Sequence, residues 1–180
     1  MLRDRGFSLI ELLVTIVLLA VLASIAVPPF LSLLERNRIA GSVNLLLSHI
    51  QLARARAVMD GSTVVICPTA DGVACSVNSA SWSGGWMVFK DFDYRQPPRL
   101  DPEDSLLLVH RNEAAWASVH SSQTHIRYSP TGYASNQTIT LCGREGASFA
   151  RAIIISIAGR ARVSNTAPDG SALDCGGTDA

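Results

Sequence analysis

The chain has 180 residues, with 15 basic and 15 acidic side chains and no formal net charge. At 48% hydrophobic and 17% charged it is too apolar for disorder. The balance of charge excludes a uniformly basic nucleic-acid coat, so any nucleic-acid site has to be a local patch. The length suits one domain with an appendage rather than two full domains. Lys90 is the single lysine among the cations, so the positive charge is almost all guanidinium.

The first predicted element is an anchor. Residues 12–27 read LLVTIVLLAVLASIAV, sixteen residues without a charge, and in the 24-residue window 7–30 Glu11 is the only one. As a helix that window is roughly 36 Å long, enough to cross a hydrocarbon core of about 30 Å. Arg3 and Arg5 precede it and keep that end cytoplasmic. A cleavable secretory signal would have a shorter apolar run and a small-residue cleavage site, whereas here Pro28-Pro29 follows the run. A carboxylate within a membrane segment costs roughly 2.5–3.5 kcal/mol on insertion scales, so Glu11 asks for a function that a plain single-span anchor does not have. The prolines, which remove backbone donors, are expected to weaken and break the helix there.

A second helical stretch follows, with Leu34, Ile39, Val43, Leu46, Ile50, Ala53 and Ala57 on one face at spacings of three to five. Gln51, Arg36, Arg38, Arg54 and Arg56 lie largely off that stripe. Small residues at its end fit packing on a sheet better than a coiled coil. Asp60-Gly61 is a natural stop. His49 lies within this helix and gets no functional role.

Beyond Gly61 the pattern turns to β. Strands are expected at 63–67, 86–90, 106–111, 125–128, 138–142, 152–157 and 161–164. The 91–105 connection, with three prolines and five acids, reads as an exposed loop. Four cysteines, Cys67, Cys75, Cys142 and Cys175, all lie outside the anchor. An even number in an exported head suggests two disulfides, and the favoured pairs are Cys67–Cys75 and Cys142–Cys175, each clipping a local loop. Zinc-type spacings are absent, so no metal site and no cofactor are expected. No hydrolase elbow, phosphate-binding loop or metalloprotease signature appears, and an enzyme is not expected.

Three blocks carry a family resemblance. Arg5-Gly6-Phe7-Ser8-Leu9-Ile10-Glu11, followed by the apolar run, resembles the class III signal of type IV pilins and type II secretion pseudopilins. The resemblance implies that prepilin peptidase cuts between Gly6 and Phe7 and that the Phe7 amine is methylated. Glu11, fifth in the mature chain, would pair with the N-terminal ammonium of a neighbouring subunit, which offsets the burial of both charges. The 82–91 block, WSGGWMVFKD, and the 126–132 block, IRYSPTG, resemble the FimT/GspH group of minor pilins. Their residues also read simply as core and turn. Gly159-Arg160-Ala161-Arg162 resembles the G-R-x-R motif of FimT-type pilins that bind DNA during natural transformation. If both arginines are in extended backbone they share one side, where two guanidiniums can grip successive phosphates. Arg144 and Arg151 are candidates to join them. A surface or assembly role for the arginines stands beside the DNA reading, because paired charges also protect a sheet edge.

The expected fold class is α+β, a long N-terminal pilin helix packed on a small antiparallel β-rich head. The expected divisions are a leader at 1–6, a membrane and filament-core helix at 7–30, an amphipathic half at 31–60 and a periplasmic head at 61–180. The implied partners are other pilin or pseudopilin subunits, prepilin peptidase, the inner membrane and double-stranded DNA. The implied function is that of a type IV minor pilin, the alternative being an H-type pseudopilin of type II secretion with an assembly role.

Overall fold

A computed structural model describes residues 8–76, 81–112, 117–144 and 146–175. The helix α1 runs from Leu9–Asp60. The chain divides into two compact units, Met1–Asn37 and Arg38–Ala180, so the last part of α1 belongs to the second.

In the first unit α1 is the one described helix long and apolar enough to cross a membrane. Its large apolar side chains, from Leu9 to Leu33, are exposed in the single chain. The expected break at the prolines does not occur: Pro28 and Pro29 lie inside a continuous helix. Each proline forfeits its own N–H, and the turns on both sides retain theirs.

In the second unit the helical stripe packs as the spacing predicts. Ile39, Val43, Leu46, Ile50, Ala53 and Ala57 are all buried. Helix α1 stops in a left-handed glycine: Gly61 has φ +60° and the Ser62 N–H donates to the Ala57 carbonyl at 3.2 Å. That is the bonding of a Schellman C-cap, which satisfies a terminal carbonyl. Lys90 Nζ pairs with Asp60 at 2.9 Å and ties the helix end to the sheet.

Eight strands follow: β1 Thr63–Pro68, β2 Gly85–Asp91, β3 Ser105–Arg111, β4 Ser118–Ser121, β5 Ile126–Tyr128, β6 Gln137–Gly143, β7 Gly146–Ile155 and β8 Ala161–Ser164. They form two four-stranded antiparallel sheets, ordered β3-β2-β1-β5 and β4-β6-β7-β8. Alternation sends Val64, Ile66, Trp86, Val88, Ile126 and Tyr128 of the first sheet into the core with the helical stripe. Val119, Ile139, Leu141, Ile153 and Ile155 enter it from the second sheet.

Each sheet also has a small apolar cluster on its other face. Val65, Cys67, Met87 and Phe89 form one, and Cys142, Ala150, Ala152 and Leu173 form the other. A disulfide sits at each: Cys67–Cys75 with a Cα separation of 5.5 Å and Cys142–Cys175 with 5.8 Å. Both Cα separations fall within the usual range for a disulfide.

Two sequence expectations change. β4 was not expected, because Ser118-Val119-His120-Ser121 contains one apolar side chain and is recognisable only by its pairing with β6. β7 begins well before 152 and ends at Ile155, leaving Ile157 in a turn and 60% exposed.

Candidate functional site

The Gly159-Arg160-Ala161-Arg162 segment lies at the β7–β8 hairpin. The Gly159 N–H donates to the Ser156 carbonyl at 2.8 Å, and the Ser156 N–H donates to the Arg160 carbonyl at 3.0 Å. Gly159 has φ +70°. A Cβ built there would lie 1.9 Å from the Gly132 carbonyl oxygen. The glycine is therefore an architectural requirement, since it lets two turns approach within the space of a side chain.

Arg160 closes this turn and Arg162 sits in β8 opposite Ile154, both exposed. β8 starts at Ala161, as the sequence pattern predicts, and Arg160 lies just before it. Only Arg162 is within the strand, because the left-handed glycine bends the backbone just before Arg160. Paired residues share a face, so Arg162 lies on the side of Ile154, while Ala161 packs toward the core.

The other two arginines do not join. Arg151 is an odd-numbered position of β7 and faces opposite to Ile154, with its Nη1 donating to the Ala150 carbonyl at 2.9 Å. Arg144 lies in the β6–β7 turn, at the far end of a ten-residue strand, roughly 30 Å of extended chain away.

Arg54 takes their place. Its Nε donates to the Gly132 carbonyl at 3.2 Å and its Nη2 to the Ala158 carbonyl at 3.1 Å. With Ile50, Gln51, Tyr128 and Arg160 it borders a cleft of about 180 Å³. The Tyr128 hydroxyl donates to the Gly159 carbonyl at 3.2 Å. Burial pushes that phenol up to about 12, with Arg54 acting against the rise, so Tyr128 is a permanent donor at neutral pH. Helix, β5 and two turns thus converge on Gly159, and two guanidiniums flank one small cleft. Sequence spacing placed Arg54 off the apolar stripe and gave no sign of contacts 78 and 104 residues away.

The remaining predicted sites are simply placed. Gly6 and Phe7 lie outside the described residues. Glu11 is in the first turn of α1 and exposed. The four cysteines form the two disulfides given above. Among the described residues no cluster of His, Cys, Asp or Glu could hold a metal ion.

His49, given no role from sequence, belongs to an aromatic cluster. The Trp86 Nε1–H donates to its Nδ1 at 3.0 Å, and the His49 and His110 rings are 6.0 Å apart. Burial lowers both imidazoles below the ordinary histidine value, and His110 adds to the shift of His49.

Comparisons with known proteins agree with this architecture. The family profile described as type II transport protein GspH matches residues 42–159. The profile of the prokaryotic N-terminal methylation motif matches residues 1–27. A search of curated proteins finds no match. Among solved structures, the type IV minor pilin FimU of Pseudomonas aeruginosa PAO1 superimposes with a TM-score of 0.57 at 20% identity, over 78% of this chain and 96% of that one. A second crystal form of FimU gives 0.56 at 17% identity, over 76% and 98%. The minor pseudopilin EpsH of Vibrio cholerae gives 0.46 at 8% identity, over 70% and 95%. The FimU likeness shows the shared fold, one long N-terminal helix packed on antiparallel sheets.

Proposed function

Because the chain belongs to the GspH family of pilins and pseudopilins, whose members are structural subunits and not enzymes, we propose that it is a minor pilin of a type IV pilus that also binds DNA. In this reading prepilin peptidase cleaves between Gly6 and Phe7, and the new Phe7 amine is methylated. Helix α1 holds the subunit in the inner membrane with the head in the periplasm, and Glu11 meets the N-terminal ammonium of a neighbouring subunit during assembly. Burying both charges together is far less costly than burying either alone.

The observation that supports DNA binding is the exposed pair Arg160 and Arg162, on a turn braced by Arg54, Tyr128 and the missing Cβ of Gly159. Guanidiniums offer paired donors to phosphate oxygens. Contacts made to phosphates alone ignore base sequence and weaken with salt.

The test is a titration with double-stranded DNA at several salt concentrations, using the full chain in zwitterionic micelles. The Arg160→Ala/Arg162→Ala double variant runs beside it. Losing two phosphate contacts should flatten the slope of log K against log salt by about 1.8. A folded wild-type protein with no affinity at low salt sinks the DNA reading.

A second reading, an H-type pseudopilin with an assembly role, is favoured by the family description itself. Neighbouring genes for type II secretion components, rather than for minor pilins, would select it.

A further inference from the structure

A cleft lies on the outer side of the first sheet, beside the edge strand β5. Its volume is about 400 Å³. One wall is the segment after β2, with Tyr94 and Gln96, and the other is the segment after β5, with Pro130 and Tyr133. Both tyrosines stand open to solvent, 56% and 58% exposed.

Tyr94 is held there against its own backbone preference. It has φ +59°, the left-handed region that side-chain-bearing residues avoid. Three contacts over-determine it. The Asp91 carboxylate accepts its N–H at 3.0 Å, Arg127 Nη1 donates to its carbonyl at 3.3 Å, and Arg127 Nη2 donates to the Arg95 carbonyl at 2.7 Å. Asp91 and Arg127 are themselves ion-paired at 2.9 Å, with Asp91 buried. Opposite, the Ser129 hydroxyl accepts the Tyr133 N–H at 3.1 Å and the Ser129 N–H donates to the Tyr133 carbonyl at 2.9 Å. A strained residue fixed by a buried ion pair, yet presenting its ring to water, gains little for folding. Such outliers collect where a ligand is met.

The chemistry of the cleft is neutral. Among the described residues Arg127 is the only guanidinium bordering it, and it is balanced by Asp91. Burial, aided by Arg127, lowers His125 below the ordinary histidine value, so that ring is uncharged at neutral pH. Thr63 Oγ1 is buried at the cleft without a hydrogen-bond partner. An anion would find its cation already paired, and a cation would find no carboxylate among the bordering residues. A purely apolar ligand would strand the hydroxyl and amide groups. Two exposed aromatic faces with neutral hydrogen-bonding groups between them suit a ligand that is hydroxylated at its edge and apolar on its face. We propose that this cleft binds an uncharged carbohydrate, with a sugar ring lying on Tyr94 or Tyr133. An N-acetylated sugar fits best, since Pro130 and Ala134 offer an apolar rest for the acetyl methyl. This site is separate from the arginine turn and does not depend on DNA binding.

The experiment is an amide-resolved NMR titration of the full chain in dodecylphosphocholine micelles, which carry no sugar headgroup. The probe is the β-1,4-linked tetramer of N-acetylglucosamine, and a parallel arm uses the uncharged peptide acetyl-Ser-Ala-Pro-Ser-amide. The expected result is saturable movement of the Tyr94, Gln96, Arg127 and Tyr133 signals by the tetramer, with a Kd on the order of 1 mM. Tyr133→Ala should weaken binding about tenfold, while Tyr133→Phe, which keeps the ring, should stay within about threefold. Tyr133 is exposed and outside the strained segment, so its variants test stacking without disturbing Asp91 and Arg127. No saturable movement up to about 20 mM, twentyfold above that Kd, overturns the proposal. So does saturation by the peptide instead of the tetramer, or unchanged affinity in a Tyr133→Ala variant with a native spectrum.

Discussion

Gly159→Ala is the substitution that best tests how the arginine turn is built. Two penalties act there. The first is the left-handed backbone, φ +70°, which costs a residue with a Cβ roughly 1–2 kcal/mol. The second is space. The new carbon would lie 1.9 Å from the Gly132 carbonyl oxygen, and that neighbour is backbone, not a mobile side-chain tip. Ordinary contact begins near 3.4 Å, so one of the two turns has to retreat by about 1.5 Å. That retreat separates Arg54 Nε from the Gly132 carbonyl and the Tyr128 hydroxyl from the Gly159 carbonyl, both now at 3.2 Å. Each of these bonds contributes about 1 kcal/mol. The expected total is about 3–4 kcal/mol. Gly61→Ala is the control, because Gly61 has φ +60° and nothing within 4 Å of its would-be Cβ. It incurs only the backbone cost of roughly 1–2 kcal/mol. Urea unfolding of the 38–180 fragment, which contains all the core residues, measures both. If Gly159→Ala costs no more than Gly61→Ala, the close approach of the two turns is wrong.

Two further outcomes follow from the same structure. Removing Cys142–Cys175, which closes a separation of 33, should cost about 3.7 kcal/mol by loop entropy, and removing Cys67–Cys75, with a separation of 8, about 2.5 kcal/mol; paired Cys→Ala variants compared by urea midpoint check the order, and the reverse order contradicts it. His49, His110 and His125 all titrate below the ordinary histidine value in the folded state, burial being the first cause in each. The unfolded chain therefore binds these protons more readily, so their contribution is full above pH 6.5 and is lost as pH falls through the lower folded values. The slope cannot exceed about 1.4 kcal/mol per pH unit per proton, and because these rings still touch water the span of pH over which it acts is short. A urea midpoint that stays level from pH 7.5 to 5 would contradict this.

Much of the fold could be read from residue order, for physical reasons that differ along the chain. The stripe from Ile39 to Ala57 was legible because one face of a helix meets one core. The strands that were found are those whose apolar residues alternate or cluster, such as β1 and β6. β4 escaped because its place is set by its partner β6, and its own composition is polar. Ile157 was misplaced because a β-branched residue reads as strand even where the chain has begun to turn. The motif at Gly159 was visible, but its meaning was only half visible. The glycine announces a turn, whereas the closeness of Gly132 and the arrival of Arg54 are properties of the assembled core. The Tyr94 cleft was not legible at all, because its walls come from segments about 35 residues apart, each unremarkable alone.

The Lys90–Asp60 contact makes this protein unusually easy to interrogate. The chain contains one lysine, and its ammonium is clasped to the last residue of the helix at 2.9 Å, with the side chain 23% exposed. An amine reagent therefore has a single side-chain target, and that target is the junction between the helix end and β2. Its reactivity becomes a gauge of how firmly the helix grips the sheet. Slow labelling means a closed clasp, and acceleration on assembly or ligand addition means that the junction has loosened.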